Sequence, residues 1–142
     1  MASTLNPYIS LRDNAREALD FYAGVFGGEL SIMTFGDSGF ASEAGGDPAE
    51  AAKVMHGHLE TSSGFTLMVA DTPAATEHHP GGNISISLSG DDEDELRGYW
   101  DKLADGATIV EPLVQAPWGD HFGMLTDRFG VGWMVNIVAP AA

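Results

Sequence analysis

His56 and His58 stand two residues apart, and Glu60 follows two further on, in a run from Val54 to Thr61 whose length and apolar content predict a strand. Alternate side chains of a strand share a face, so two imidazoles and a carboxylate would project together. Such a group could ligate a divalent cation, or hydrogen-bond the oxygens of a bound molecule. The other histidines offer less. His78 and His79 lie beside Pro80 in a polar stretch and are expected to be exposed, and His121, after Trp118-Gly119-Asp120, should face away from Phe122 and Met124.

Other chemistries lack their parts. Cysteine is absent, which removes disulfides, thiolate nucleophiles and thiolate metal sites. There is no Gly-x-Ser-x-Gly elbow for a serine nucleophile. Most acids fall in loops and helix starts, which leaves no pair poised for acid-base work.

The histidine strand belongs to a readable series. Tyr8 to Leu11 predicts a strand, and Asp13 or Asn14 then offers a cap for a helix that buries Ala15, Ala18, Leu19, Tyr22 and Phe26 and ends at Gly27-Gly28. Glu29 to Phe35 predicts a second strand. The segment from Gly36 to Ala52 is too polar and irregular to place and has the character of a flap. Val54 to Thr61 and Phe65 to Ala70 flank Ser62-Ser63-Gly64 as a hairpin, which would set His58 across from Met68.

After a linker from Asp71 to Gly82, the pattern starts again. Asn83 to Ser89 predicts a strand through the alternation of Ile84, Ile86 and Leu88. The acidic run Asp91 to Glu95 reads as a helix start, where the helix dipole favours negative charge, and Gly106 closes that helix. Ala107 to Gln115 predicts an edge or bulged strand at Pro112, and Phe122 to Thr126 with Val131 to Val138 a closing hairpin. Both halves read β-α-β-β-β.

The halves also match in sequence. An offset of 77 (83 minus 6) lays Asn6, Leu11, Leu19 and Tyr22 on Asn83, Leu88, Leu96 and Tyr99, and an offset of 66 (130 minus 64) lays Gly64, Met68 and Val69 on Gly130, Met134 and Val135. Two such units, neither able to bury its apolar face alone, predict one domain over residues 1–142: unit one about 5–71, linker about 72–82, unit two about 83–138.

Composition agrees with a globular chain, since 44% of the 142 residues are hydrophobic. The 21 acidic and 6 basic side chains give a net charge of -15, which repels phosphate backbones and anionic headgroups, so no nucleic-acid or membrane partner is expected. The start, Met1 to Pro7, lacks the basic and apolar regions of a signal peptide, and no run has membrane-spanning length. A soluble cytoplasmic protein is the expectation.

Asn6-Pro7-Tyr8-Ile9-Ser10, Ala18-Leu19-Asp20-Phe21-Tyr22, Gly28-Glu29-Leu30 and Phe35-Gly36 resemble the PhnB-like branch of the vicinal-oxygen-chelate superfamily of glyoxalases, bleomycin-resistance proteins and dihydroxybiphenyl-type dioxygenases. So do Thr126-Asp127-Arg128-Phe129-Gly130-Val131 and Trp133-Met134-Val135-Asn136. The resemblance implies an α+β fold of two paired βαβββ units forming a cupped mixed sheet, and a homodimer. Members of that branch are often named as methyltransferases of quinone biosynthesis, but no glycine-rich nucleotide loop follows a first strand here.

In metal-dependent members the ligands come from the first and last strand of each unit. The resemblance puts those positions at Asn6, Met68, Asn83 and Met134, which offer amides and thioethers where zinc, iron or manganese needs imidazole or carboxylate. The cup is then expected to be lined by Asn6, Tyr8, Ser10, His56, His58 and Met68 from unit one, and by Asn83, Ser85, Trp118, Phe122 and Met134 from unit two. These walls suit a flat, partly polar organic ligand bound without a cofactor. The alternatives are a metal-dependent lyase, isomerase or dioxygenase with a divalent metal on a displaced His56 and His58 site, and a protein that chiefly pairs with another subunit.

Overall fold

A computed structural model describes residues 3–38, 48–74 and 76–139. The chain divides into two compact units, Met1–Pro80 and Gly81–Ala142, and the division falls inside the expected linker.

Unit one runs β1 (Tyr8–Leu11), α1 (Ala15–Phe26), β2 (Glu29–Thr34), α2 (Phe35–Ser38), α3 (Pro48–Ala51), β3 (Val54–Glu60) and β4 (Thr66–Asp71). Its sheet has the order β1-β4-β3-β2, with β1 parallel to β4 and the other pairs antiparallel. The predicted helix face is buried, joined by Val25. The segment from Gly36 to Ala52 forms short helices at its ends, and its middle lies outside the described residues.

The cap of α1 differs from expectation. Asn14 occupies the N-cap position but makes no side-chain cap bond, and Asp13, at φ 73°, pairs with Lys53. The buried Asp71, at the end of β4, does the capping: its Oδ1 accepts from the Ala15 amide and its Oδ2 from the Val54 amide, both at 3.0 Å. A carboxylate 56 residues away in sequence thus ties the helix start to the start of β3, which local patterning cannot reveal.

Unit two runs β5 (Ile86–Gly90), α4 (Glu93–Leu103), β6 (Thr108–Gln115), β7 (His121–Thr126) and β8 (Gly132–Ile137), with sheet order β5-β8-β7-β6. The acidic run starts α4 as expected, with Asp92 Oδ1 accepting from the Glu95 amide at 3.1 Å. β6 is an edge strand with register shifts on either side of Glu111, next to Pro112. The strand expected from Asn83 begins only at Ile86, and Ile84 is 81% exposed.

The ladders repeat and correct the internal alignment. Gly57 pairs with Val69 and Gly123 with Val135, so the offset of 66 holds for the last two strands. In the first strand, Ile9 pairs with Val69 and Leu88 with Val135, an offset of 79 (88 minus 9) and not 77. Asn6 therefore corresponds to Ser85, and Asn83 falls two residues out of step. A shift of two preserves the inward and outward alternation, so sequence alone cannot choose between them.

Each sheet packs one face on its helix. Leu11, Leu59, Leu67 and Val69 are buried in unit one, as are Leu88, Leu125, Trp133, Val135 and Ile137 in unit two. Gly57 and Gly123 allow that contact: a Cβ on Gly57 would lie 2.2 Å from Leu19 Cδ1, and one on Gly123 2.8 Å from Trp100 Cη2. Among the described residues no helix is long and apolar enough to cross a membrane.

Candidate functional site

The chemistry-bearing side chains of unit one lie on the sheet face turned from α1. Tyr8 pairs with Met68, Met68 with His58, and His58 with Ser31, a row across all four strands. Paired residues share a face, so this row lies opposite the buried Gly57, Leu59 and Val69. The row next along β3 joins His56 to Met33, and the row beyond His58 joins Glu29, Glu60 and Thr66. The expected apposition of His58 and Met68 is thus present.

The rings contact one another. Tyr8 and His56 have centroids 5.9 Å apart at 38°, and His56 and His58 stand edge to face at 6.1 Å. His58 Nε2 is sealed from solvent and makes no hydrogen bond, although Glu60 Oε1 lies 3.4 Å away. Glu60 is itself largely exposed, as is Tyr8 at 53%. Asn6 sits before β1, and its Nδ2 donates to Thr4 Oγ1 at 3.0 Å. Ser10 pairs with Ala70 and lies on the same face as Tyr8.

The corresponding face of unit two is more apolar. Met134 pairs with Met124 and Ser87, and Phe122 with Asn136 and Val114. By the offset of 66, His56 and His58 correspond to Phe122 and Met124. Trp118, 64% exposed, meets Phe122 edge to face at 6.0 Å. Its turn is held by Asp120, whose Oδ1 accepts from the Ala139 amide at 2.9 Å and Oδ2 from Asn136 Nδ2 at 3.1 Å. Those two bonds hold the Asp120 carboxyl below the usual carboxylate range. Asn83 and Ser85 are exposed in the run before β5.

The remaining histidines lie apart from these rows. His121 pairs with Ile137, on the side facing α4 and away from Phe122. His78 is half-buried, with Nδ1 3.3 Å from Thr72 Oγ1, and His79 is exposed beside Glu77. Sequence reading missed Ser31, Met33 and Glu29, which enter the face through β2. Their signal was present in the alternation around Leu30 and Ile32, but the pairing of that strand with the histidine strand was unassigned.

A divalent metal is poorly matched by these donors. The positions implied by the resemblance carry amides and thioethers, and among the described residues no group of three or more His, Asp or Glu side chains comes together to hold an ion. His56 and His58 supply two imidazoles but no third strong ligand.

Comparison with known proteins extends this description. The family model for the Glyoxalase/Bleomycin resistance protein/Dioxygenase superfamily matches residues 4–135. Protein YjdN of Escherichia coli strain K12 is 24% identical, over 94% of this chain and 95% of its own length. The crystal structure of protein PA1353 from Pseudomonas aeruginosa superposes with a TM-score of 0.82 at 36% identity, over 98% of this chain and 100% of the other. A PhnB protein from Bacillus cereus, described as a putative 3-demethylubiquinone-9 3-methyltransferase, has the same fold with a TM-score of 0.75 at 22% identity, over 96% and 100% of the two chains.

Proposed function

The chain belongs to the glyoxalase/bleomycin resistance protein/dioxygenase superfamily, and from that premise we propose that it is a binding protein for a small organic molecule, held without a catalytic metal. The observation that carries this reading is the unit-one face itself. Tyr8, His56, His58 and Met68 gather on the side of the sheet that α1 leaves uncovered, and all four are exposed or half-buried. Aromatic and thioether surface offers shape and dispersion contacts to a flat ligand, and the imidazoles offer hydrogen bonds. Phe122, Met134 and Trp118 give unit two a matching, more apolar face.

The test is a nuclear magnetic resonance titration of the full chain with a panel of flat, partly polar aromatic molecules. Saturable shifts of the His56 and His58 imidazole signals, with those of His79 unmoved, are expected. A panel that moves none of the unit-one face signals overturns the reading.

We further propose a soluble, cytoplasmic homodimer. Among the described residues each sheet ends in strands with one edge unpaired, and β6 carries exposed Ile109, Val110 and Val114. Such edges favour pairing with another chain.

A further inference from the structure

We propose that the unit-one face holds a cuprous ion, ligated by the imidazoles of His56 and His58 on β3 and by the thioethers of Met33 from β2 and Met68 from β4. This goes beyond the binding of an organic molecule and does not depend on it.

The strand register carries the placement. Met33 stands directly opposite His56 and Met68 directly opposite His58, and all four belong to the face turned from α1. The two methionines therefore flank β3 from opposite sides, one on each histidine row. From a point above β3 midway between the histidines, each methionine Cα is one strand spacing across and one residue along, about 6 Å away in projection. A methionine side chain and a metal–sulfur bond of about 2.3 Å together cover that span. The His56 and His58 rings, with centroids 6.1 Å apart, can meet at the same point through metal–nitrogen bonds of about 2 Å.

The donor types choose the ion. Two neutral imidazoles and two thioethers bring no negative charge, and zinc, iron or manganese would want carboxylate or thiolate beside the imidazoles. Thioether sulfur is soft and selects cuprous copper, which imidazole also suits. The set that fails a divalent ion thus fits a soft monovalent one.

Two neighbours support the arrangement. His58 Nε2 is sealed from solvent and makes no hydrogen bond, with Glu60 Oε1 3.4 Å away. A metal-bound imidazole commonly gives its other N–H to a carboxylate, so Glu60 orients His58 with Nδ1 left for the ion. The Tyr8 ring, 5.9 Å from that of His56, walls one flank. Unit two keeps thioethers but lacks the nitrogens: Phe122 and Met124 stand where unit one has His56 and His58, and Val114 opposes Phe122 as Met33 opposes His56. One ion per chain is therefore expected.

The test is anaerobic titration of the full chain with cuprous ion against the chromophoric chelator bicinchoninate. One ion per chain should be retained, displaced by silver(I) and not by zinc. Met33→Leu with Met68→Leu, which conserves volume, should weaken retention about tenfold or more with an unchanged circular dichroism spectrum. His56→Ala with His58→Ala should abolish it. Met124→Leu with Met134→Leu in unit two, and His78→Ala with His79→Ala outside the strands, should leave it intact.

No ion held against the chelator, displacement by zinc, no effect of replacing Met33 and Met68, or retention lost with His78 and His79 overturns the site. Each of those results leaves the organic-ligand reading standing, because its own titration is done without metal.

Discussion

Asp127 Oδ2 accepts a hydrogen bond from Trp133 Nε1 at 2.8 Å, and both side chains are buried. The other oxygen, Oδ1, accepts from the Phe129 amide at 2.8 Å and the Val131 amide at 3.1 Å. One carboxylate therefore closes the β7–β8 turn and anchors the largest fully buried side chain of the protein. The run from Thr126 to Asn136, part of the family resemblance, is thus a structural staple that leads into β8, the direct neighbour of β5.

Replacing Asp127 by Ala strands three donors, so a loss of about 2–4 kcal/mol is expected. Urea denaturation of the variant, with Trp133→Phe and the double variant completing a cycle, measures it. A pairwise coupling near zero would show that the Asp127–Trp133 bond contributes nothing.

Gly57→Ala should destabilise by roughly 1–3 kcal/mol through overpacking, because the new methyl meets both Leu19 Cδ1 and, at 2.9 Å, the Val69 carbonyl oxygen. Gly123→Ala should behave alike against Trp100. Thermal melts without a lowered midpoint in either variant would mean that the helices can move away from their sheets at little cost.

His56→Ala with His58→Ala should weaken binding of a flat aromatic ligand about tenfold or more while leaving the fold intact. Metal analysis after incubation with zinc or nickel and desalting should give the same low retention for native and variant protein. Near-stoichiometric metal in the native chain, lost in the variant, would replace the proposed function with a metal-dependent one.

Acid should loosen specific ties before it unfolds the core. The Lys53 ammonium, and then the Ala74 amide, lower the Glu50 carboxyl, while the Ala139 amide and Asn136 lower Asp120. A depressed folded-state pKa contributes stability above the ordinary carboxylate range, and that contribution disappears as pH falls through the folded value. Lys53 is raised by Asp13 and Glu50, so its share is complete below the ordinary lysine range and is lost as pH rises through the raised value. Amide exchange at Ala74 and Ala139 should accelerate, relative to β4 and β8, as the solution is acidified through and below the ordinary carboxylate range. Unchanged protection at both amides would count against these carboxylates as the ties.

Light scattering at micromolar concentration should give twice the mass of the chain. A monomeric mass would remove the homodimer from the proposal.

The two β-α-β-β-β units, the helix faces and the position of His58 across from Met68 were legible because each depends on periodicity or on a tight turn. Asp71 was not, since its partners at Ala15 and Val54 are assembled by tertiary contact. The equivalence of Asn6 and Asn83 failed because a two-residue slip leaves alternation unchanged, and only the pairing of Ile9 with Val69 and of Leu88 with Val135 resolves it. Glu29 and Met33 joined the face only once β2 was paired with β3.

Trp100, Trp118 and Trp133 all belong to the second unit, and the first contains none. Intrinsic fluorescence excited at the indole band is therefore blind to the first unit. It also mixes two buried reporters with the exposed Trp118. With Trp118 replaced by Phe, the remaining emission would follow the melting of the second unit alone, and its comparison with a whole-chain probe such as circular dichroism would reveal whether the two repeats unfold together or in succession.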